Sequence, residues 1–113
     1  MVVIEITESL FEDIERTFKK GATEVFDLIG TLATSPKKGK LLGSVGGIVI
    51  KELKYRSYRF YFIADGYKLK LLRAEDLTEL LLRFVRMSDK KHQQQVIDEI
   101  KAVLVNMGAQ GFK

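Results

Sequence analysis

The chain has 113 residues, of which 46% are hydrophobic and 30% charged, a balance that suits one folded domain over 1–113 and excludes a disordered chain. It contains no cysteine, so disulfides, thiolate metal sites and cysteine nucleophiles are excluded. The net charge of +4 is unevenly spread: residues 1–36 carry three Lys/Arg against seven Asp/Glu (−4), residues 37–91 fourteen against six (+8), and residues 92–113 two of each.

A local positive field of that kind attracts phosphate backbones, although lysines also keep exposed strand edges soluble. The opening run Met1-Val2-Val3-Ile4 meets Glu5, too soon for the apolar stretch of a secretion signal. No apolar run approaches the roughly 18 residues of a membrane span, so a cytoplasmic protein without a membrane partner is expected.

Val2–Ile6 reads as a short strand. Thr7 and Ser9 are candidate helix caps, and Ser9 with Glu12 has capping-box spacing. Leu10, Phe11, Ile14 and Phe18 then form one apolar stripe, which Lys19-Lys20-Gly21 ends with cations and a glycine. A second helix is expected over 22–33, from Val25, Leu28, Ile29 and Leu32, before Pro36. Two short helices so close together predict an antiparallel helical hairpin on one sheet face.

The middle reads as β. Ile48–Lys54 and Tyr58–Ala64 are rich in β-branched and aromatic residues, and Tyr67–Leu72 alternates. Asp65-Gly66 predicts a hairpin between the last two, with Gly43, Gly46 and Gly47 as a flexible entry to the sheet. From Ala74 to Met87 periodicity leaves two readings open: Leu77, Leu80, Leu81 and Phe84 fit a helix, whereas Leu80–Val85 fits a buried strand. A final helix follows, striped by Val96, Ile97, Ile100, Val103, Leu104 and Met107 and capped at Gly108. The fold expected is α+β: a largely antiparallel sheet with an N-terminal helical hairpin and a C-terminal helix.

Parity puts Phe60 and Phe62 on one face of the expected third strand and Arg59 and Tyr61 on the other, predicting an open basic and aromatic face. Removing an arginine from an open face would leave folding intact. Tyr55, Arg56 and Tyr58 gather in the turn before that strand. Interleaved Arg and Tyr suit RNA, since guanidinium groups grip phosphates and rings stack on bases. Any single one of these tyrosines more commonly fills a half-buried sheet position with a wet hydroxyl.

A single histidine cannot build a two-histidine metal site, and HExxH, GxSxG and GxxxxGK[ST] are all lacking. Gly43-Ser44-Val45-Gly46-Gly47 lacks the lysine and helix that a phosphate-cradling loop requires. His92 follows Lys90 and Lys91; an imidazole there can accept a proton or simply be a solvated surface residue.

The stretch Gly47-Ile48-Val49-Ile50-Lys51-Glu52-Leu53-Lys54, followed by Tyr58-Arg59-Phe60-Tyr61-Phe62, resembles the RelE/ParE toxin superfamily, in particular its HigB-like and phage-derived branch. Phe84-Val85-Arg86-Met87-Ser88-Asp89-Lys90-Lys91 is similar to that branch's basic strand end. The resemblance implies a RelE-like sheet and a cofactor-free, ribosome-dependent mRNA endoribonuclease, held inactive by a cognate antitoxin protein. Such cleavage lets a 2′-hydroxyl attack the adjacent phosphate, with cations to stabilise the phosphorane and groups to move two protons. By resemblance Arg59, Lys51 and Lys54 are the catalytic cations and Glu52 or His92 the base. Arg56, Tyr58, Tyr61, Arg83, Arg86, Lys90 and Lys91 would hold RNA. Two departures stand out: Tyr67–Glu79 is extra material, and no tyrosine follows Tyr67. A non-catalytic module binding RNA or protein and a ParE-like gyrase inhibitor are the alternatives.

Overall fold

Two tight hairpins build the middle of the protein. In the computed structural model, which describes residues 2–71 and 79–113, β2 (Lys40–Val45) turns at Gly46-Gly47 into β3 (Ile48–Tyr55), which turns at Arg56-Ser57 into β4 (Tyr58–Asp65). Gly46 and Gly47 both have positive φ, 56° and 82°, the backbone that two-residue hairpins favour because it matches strand twist. β5 (Leu80–Asp89) pairs antiparallel with β4, and β1 (Val2–Ile6) lies parallel to β5. The sheet order is therefore β1-β5-β4-β3-β2.

The α+β class, the helical pair near the N-terminus and the C-terminal helix are all present. α1 (Glu8–Phe18) and α2 (Ala22–Gly30) are joined by a 3-10 turn at Lys19–Gly21. Phe11 of α1 stacks on Phe26 of α2, centroids 4.9 Å apart, so the two helices fold back on each other. Their stripe of Leu10, Ile14, Val25, Ile29 and the following Leu32 packs on Leu53, Phe60, Phe62, Leu82 and Phe84 of one sheet face. Phe62 and Phe84 stack at 4.7 Å in the middle of that layer. Each such buried side chain contributes about 1.5–3 kcal/mol. On the other face Ile50, Tyr61, Ile63 and Val85 meet Ile100 and Leu104 of α4 (Gln93–Met107), together with Phe112. Gly108 caps α4 with φ 74°, its N–H donating to the Leu104 carbonyl.

Three local expectations change, and one reading left open is decided. Lys40–Val45 is a strand, not a flexible entry: it is a lysine-fronted edge with a register shift at Leu41/Gly43, and both features discourage pairing with another chain. The strand expected over Tyr67–Leu72 does not form at Tyr67–Leu71, and Leu72 lies outside the described residues. Gly66–Leu71 forms the short helix α3, because the Asp65 carboxylate accepts from the Lys68 N–H at 3.0 Å and starts a helical turn instead of a hairpin. Of the two readings of 74–87, the strand holds from Leu80 onward, while 74–78 lie outside the described residues. The Ser9–Glu12 capping box does not form: Thr7 is the N-cap, without a side-chain cap bond, and the Ser9 hydroxyl donates to the Lys113 carbonyl at 2.6 Å. Among the described residues no helix is long and apolar enough to cross a membrane.

Candidate nucleic-acid interface

Strand pairing gathers most of the candidate side chains at one end of the sheet. Tyr58 lies opposite Asp89, Arg59 opposite both Lys54 and Ser88, and Tyr61 opposite Glu52 and Arg86. The β3–β4 turn, the last residues of β5 and the start of α4 therefore meet there, with the 3-10 turn Lys90–His92 between β5 and α4.

The face that was expected to be open is covered. Arg59 is only 9% exposed and Tyr61 fully buried. Arg59 Nε lies 3.5 Å from Glu52 Oε1, and its Nη1 donates to the Tyr58 carbonyl at 3.1 Å. The Tyr61 hydroxyl and the Ser88 hydroxyl share a 2.7 Å hydrogen bond. Burial pushes the Tyr61 phenol above its ordinary range, a shift that the Ser88 bond opposes and the Glu52 charge reinforces. Parity named the right face; it could not show that α4 lies over it.

Tyr58 and Lys51 point the other way, toward the helical pair. Tyr58 packs edge-on against Phe18, centroids 4.9 Å apart, so it belongs to the core boundary. Lys51 is buried and donates to the Lys37 carbonyl at 2.9 Å. Arg83 stands nearer the opposite end of β5, where Nε donates to Glu5 at 2.9 Å and Nη1 to the Ala109 carbonyl at 3.0 Å. Arg86 is half-buried, its guanidinium 5.1 Å from the Phe112 ring centroid and its Nη1 donating to the Val85 carbonyl. Lys51 and Arg83 therefore do not join the cluster.

Lys54, Arg56, Lys90, Lys91 and His92 remain exposed at the gathered end. Arg56, at positive φ in the turn, stacks on Tyr55 at 5.3 Å and reaches Glu24 at 3.8 Å. That pair is mostly in water and holds Arg56 weakly. His92 Nδ1 lies 2.7 Å from Asp89 Oδ1, and the same oxygen accepts the His92 N–H at 3.0 Å. The imidazole bond holds the Asp89 carboxyl below its ordinary range. Asp89 and Ser88 escaped the sequence reading; the Asp-x-x-His spacing at a helix start was the signal for the first. Among the described residues no group of three His, Asp or Glu side chains is placed to hold a metal ion.

No protein-family model, curated protein or solved structure matches this chain.

Proposed function

We propose that this chain is a cytoplasmic RelE/ParE-type domain that binds RNA, on the ribosome or free of it, through the cationic end of its sheet, and that an antitoxin protein masks that end. One observation carries the reading: Lys54, Arg56, Lys90 and Lys91 all face water where the β3–β4 turn, β5 and α4 converge. A strand end and a helix start bring together charges that lie 36 residues apart in sequence, and the field of four cations exceeds that of any one. The Arg59–Glu52 and Tyr61–Ser88 pairs lie beneath, where they brace the strands that present the cations. Hydrogen exchange with and without a single-stranded RNA oligomer tests the placement. Amides of 54–59 and 88–95 should slow, and protection confined to the acidic α1–α2 pair would defeat it.

A second reading, mRNA cleavage, is favoured by Asp89 and His92. A carboxylate that fixes an exposed imidazole beside Lys90 and Lys91 is equipped to move a proton next to a bound phosphate. In that reading His92 transfers protons and the exposed lysines stabilise the phosphorane, while Arg59 positions β4. Induction in a bacterial host with primer-extension mapping of ribosome-bound mRNA decides it. Cuts that vanish in His92→Gln support cleavage; normal growth and intact message leave the binding module alone standing.

A further inference from the structure

The two edges of the sheet are built differently. β2 fronts one edge with Lys40 and a register shift at Leu41/Gly43. β1 fronts the other as Val2-Val3-Ile4-Glu5-Ile6, with no lysine, no proline and an unbroken register on β5. One bond fixes which of its backbone groups are paired. The Thr7 N–H donates to the Phe84 carbonyl at 3.0 Å, and successive residues of a strand turn N–H and C=O to opposite sides. Val3, Glu5 and Thr7 therefore face β5, and the N–H and C=O of Val2, Ile4 and Ile6 point away from it. The 3-10 turn Thr31–Ala33 lies against β1, yet among the described residues no backbone group bonds those outward ones. All five β1 residues are partly exposed, whereas Leu80, Leu82 and Phe84 beside them on β5 are buried. On the α4 side Leu81, the register partner of Val3, is 39% exposed. Water thus reaches this edge, and apolar side chains flank it.

A row of unpaired N–H and C=O groups is a template for another strand, and this strand is complementary to itself. An antiparallel pair centred on Ile4 sets Ile4 opposite the Ile4 of a second copy, Val2 opposite Ile6, and Val3 opposite Glu5. That register uses the whole strand and matches the outward groups of Val2, Ile4 and Ile6. Their side chains, already packed at the margin of the core under the helical pair, then meet as apolar pairs. Moving the axis to Glu5 would set two carboxylates opposite each other, which repel. In the Ile4 register each Glu5 faces a valine and keeps its own Arg83, 2.9 Å away. We infer that a second copy of this chain docks on β1 about a two-fold axis, joining two five-stranded sheets into one. The inference is independent of the RNA reading, whose cations cluster beyond the other end of β5.

Light scattering of the full chain over a concentration series, with hydrogen exchange at the same concentrations, tests the interface. The mass should double as concentration rises. Exchange at the Ile4 and Ile6 amides should slow with it, because pairing takes those amides out of water. Val3→Glu sets carboxylates opposite Glu5 on both sides of the axis and should weaken the dimer about tenfold. Val3→Lys sets opposite charges there and should keep it. Both variants change a partly exposed side chain, so the unfolding midpoint of the dilute monomer should stay near that of wild type. If Val3→Glu does not fold, exchange at Ile4 and Ile6 in the wild type decides. A mass that stays monomeric at every attainable concentration overturns the inference and leaves the edge to a strand of another protein. A dimer whose Ile4 and Ile6 amides exchange at the monomer's rate overturns it too, as does equal weakening by Val3→Glu and Val3→Lys.

Discussion

Arg59 and Glu52 meet across the β3–β4 pair with Nε 3.5 Å from Oε1, and their side chains are 11% and 13% exposed. A charge pair so withdrawn from water depends on both partners, because losing one leaves the other buried alone. Arg59→Ala should therefore destabilise the protein by about 3 kcal/mol or more, the lower end of what breaking a buried pair costs. This reverses the expectation for an arginine on an open face. Urea titration measures it. Arg59→Met with Glu52→Leu should cost clearly less than the two single changes summed; strict additivity would mean that the pair is not coupled.

Tyr61 and Ser88 supply a second buried polar contact, and its loss should be felt at the hydroxyl that remains. Tyr61→Phe leaves the Ser88 hydroxyl without its 2.7 Å partner, at a cost of about 1–3 kcal/mol. The phenol's raised pKa fixes the sign of a pH effect. Stability from the neutral phenol is complete below the unfolded tyrosine value near 10 and declines as pH rises from there through the higher folded value. The Tyr55 phenol is raised as well, so ultraviolet titration of phenolate should find the late-ionising signal of the wild type reduced by one tyrosine, not abolished, in Tyr61→Phe.

Asp89 acts at the start of α4. Its depressed pKa means that its contribution is present above the ordinary aspartate value and is lost as pH falls through the lower folded value. Asp89→Ala should speed amide exchange at 90–93 and shift the His92 ring signals, while exchange at Ile100 and Leu104 stays slow. Loss of protection along all of α4 would mean that the helix depends on this one cap.

The helices were readable because their burial follows a 3.6-residue period: Leu10 with Ile14, Val25 with Ile29, Ile100 with Leu104. Parity likewise separated Phe60 and Phe62 from Arg59 and Tyr61. What failed was local ambiguity and long-range contact. Asp65-Gly66 can open either a hairpin or a helix, and the alternation of Tyr67 to Leu71 fits both; the Asp65–Lys68 bond decides for the helix. β2 escaped notice because Lys40, Gly43 and Ser44 dilute any strand pattern along an edge. The parallel pairing of β1 with β5 joins segments about 78 residues apart, and no local rule shows it. At the candidate site, residue types named the cations, but only the packing of α4 revealed that Arg59 and Tyr61 lie beneath while Lys54, Lys90 and Lys91 face water.

RNA affinity as a function of salt tests the binding surface most directly. Fluorescence anisotropy with a single-stranded oligomer should give a log–log slope near −3, from four cations at about 0.7 each. Lys54→Glu with Lys90→Glu and Lys91→Glu should flatten that slope to about −1 or less and weaken binding at low salt by at least tenfold, with the unfolding midpoint unchanged. Wild-type affinity insensitive to salt, or a charge-reversed protein that binds as tightly as wild type, would contradict an RNA surface at this end of the sheet.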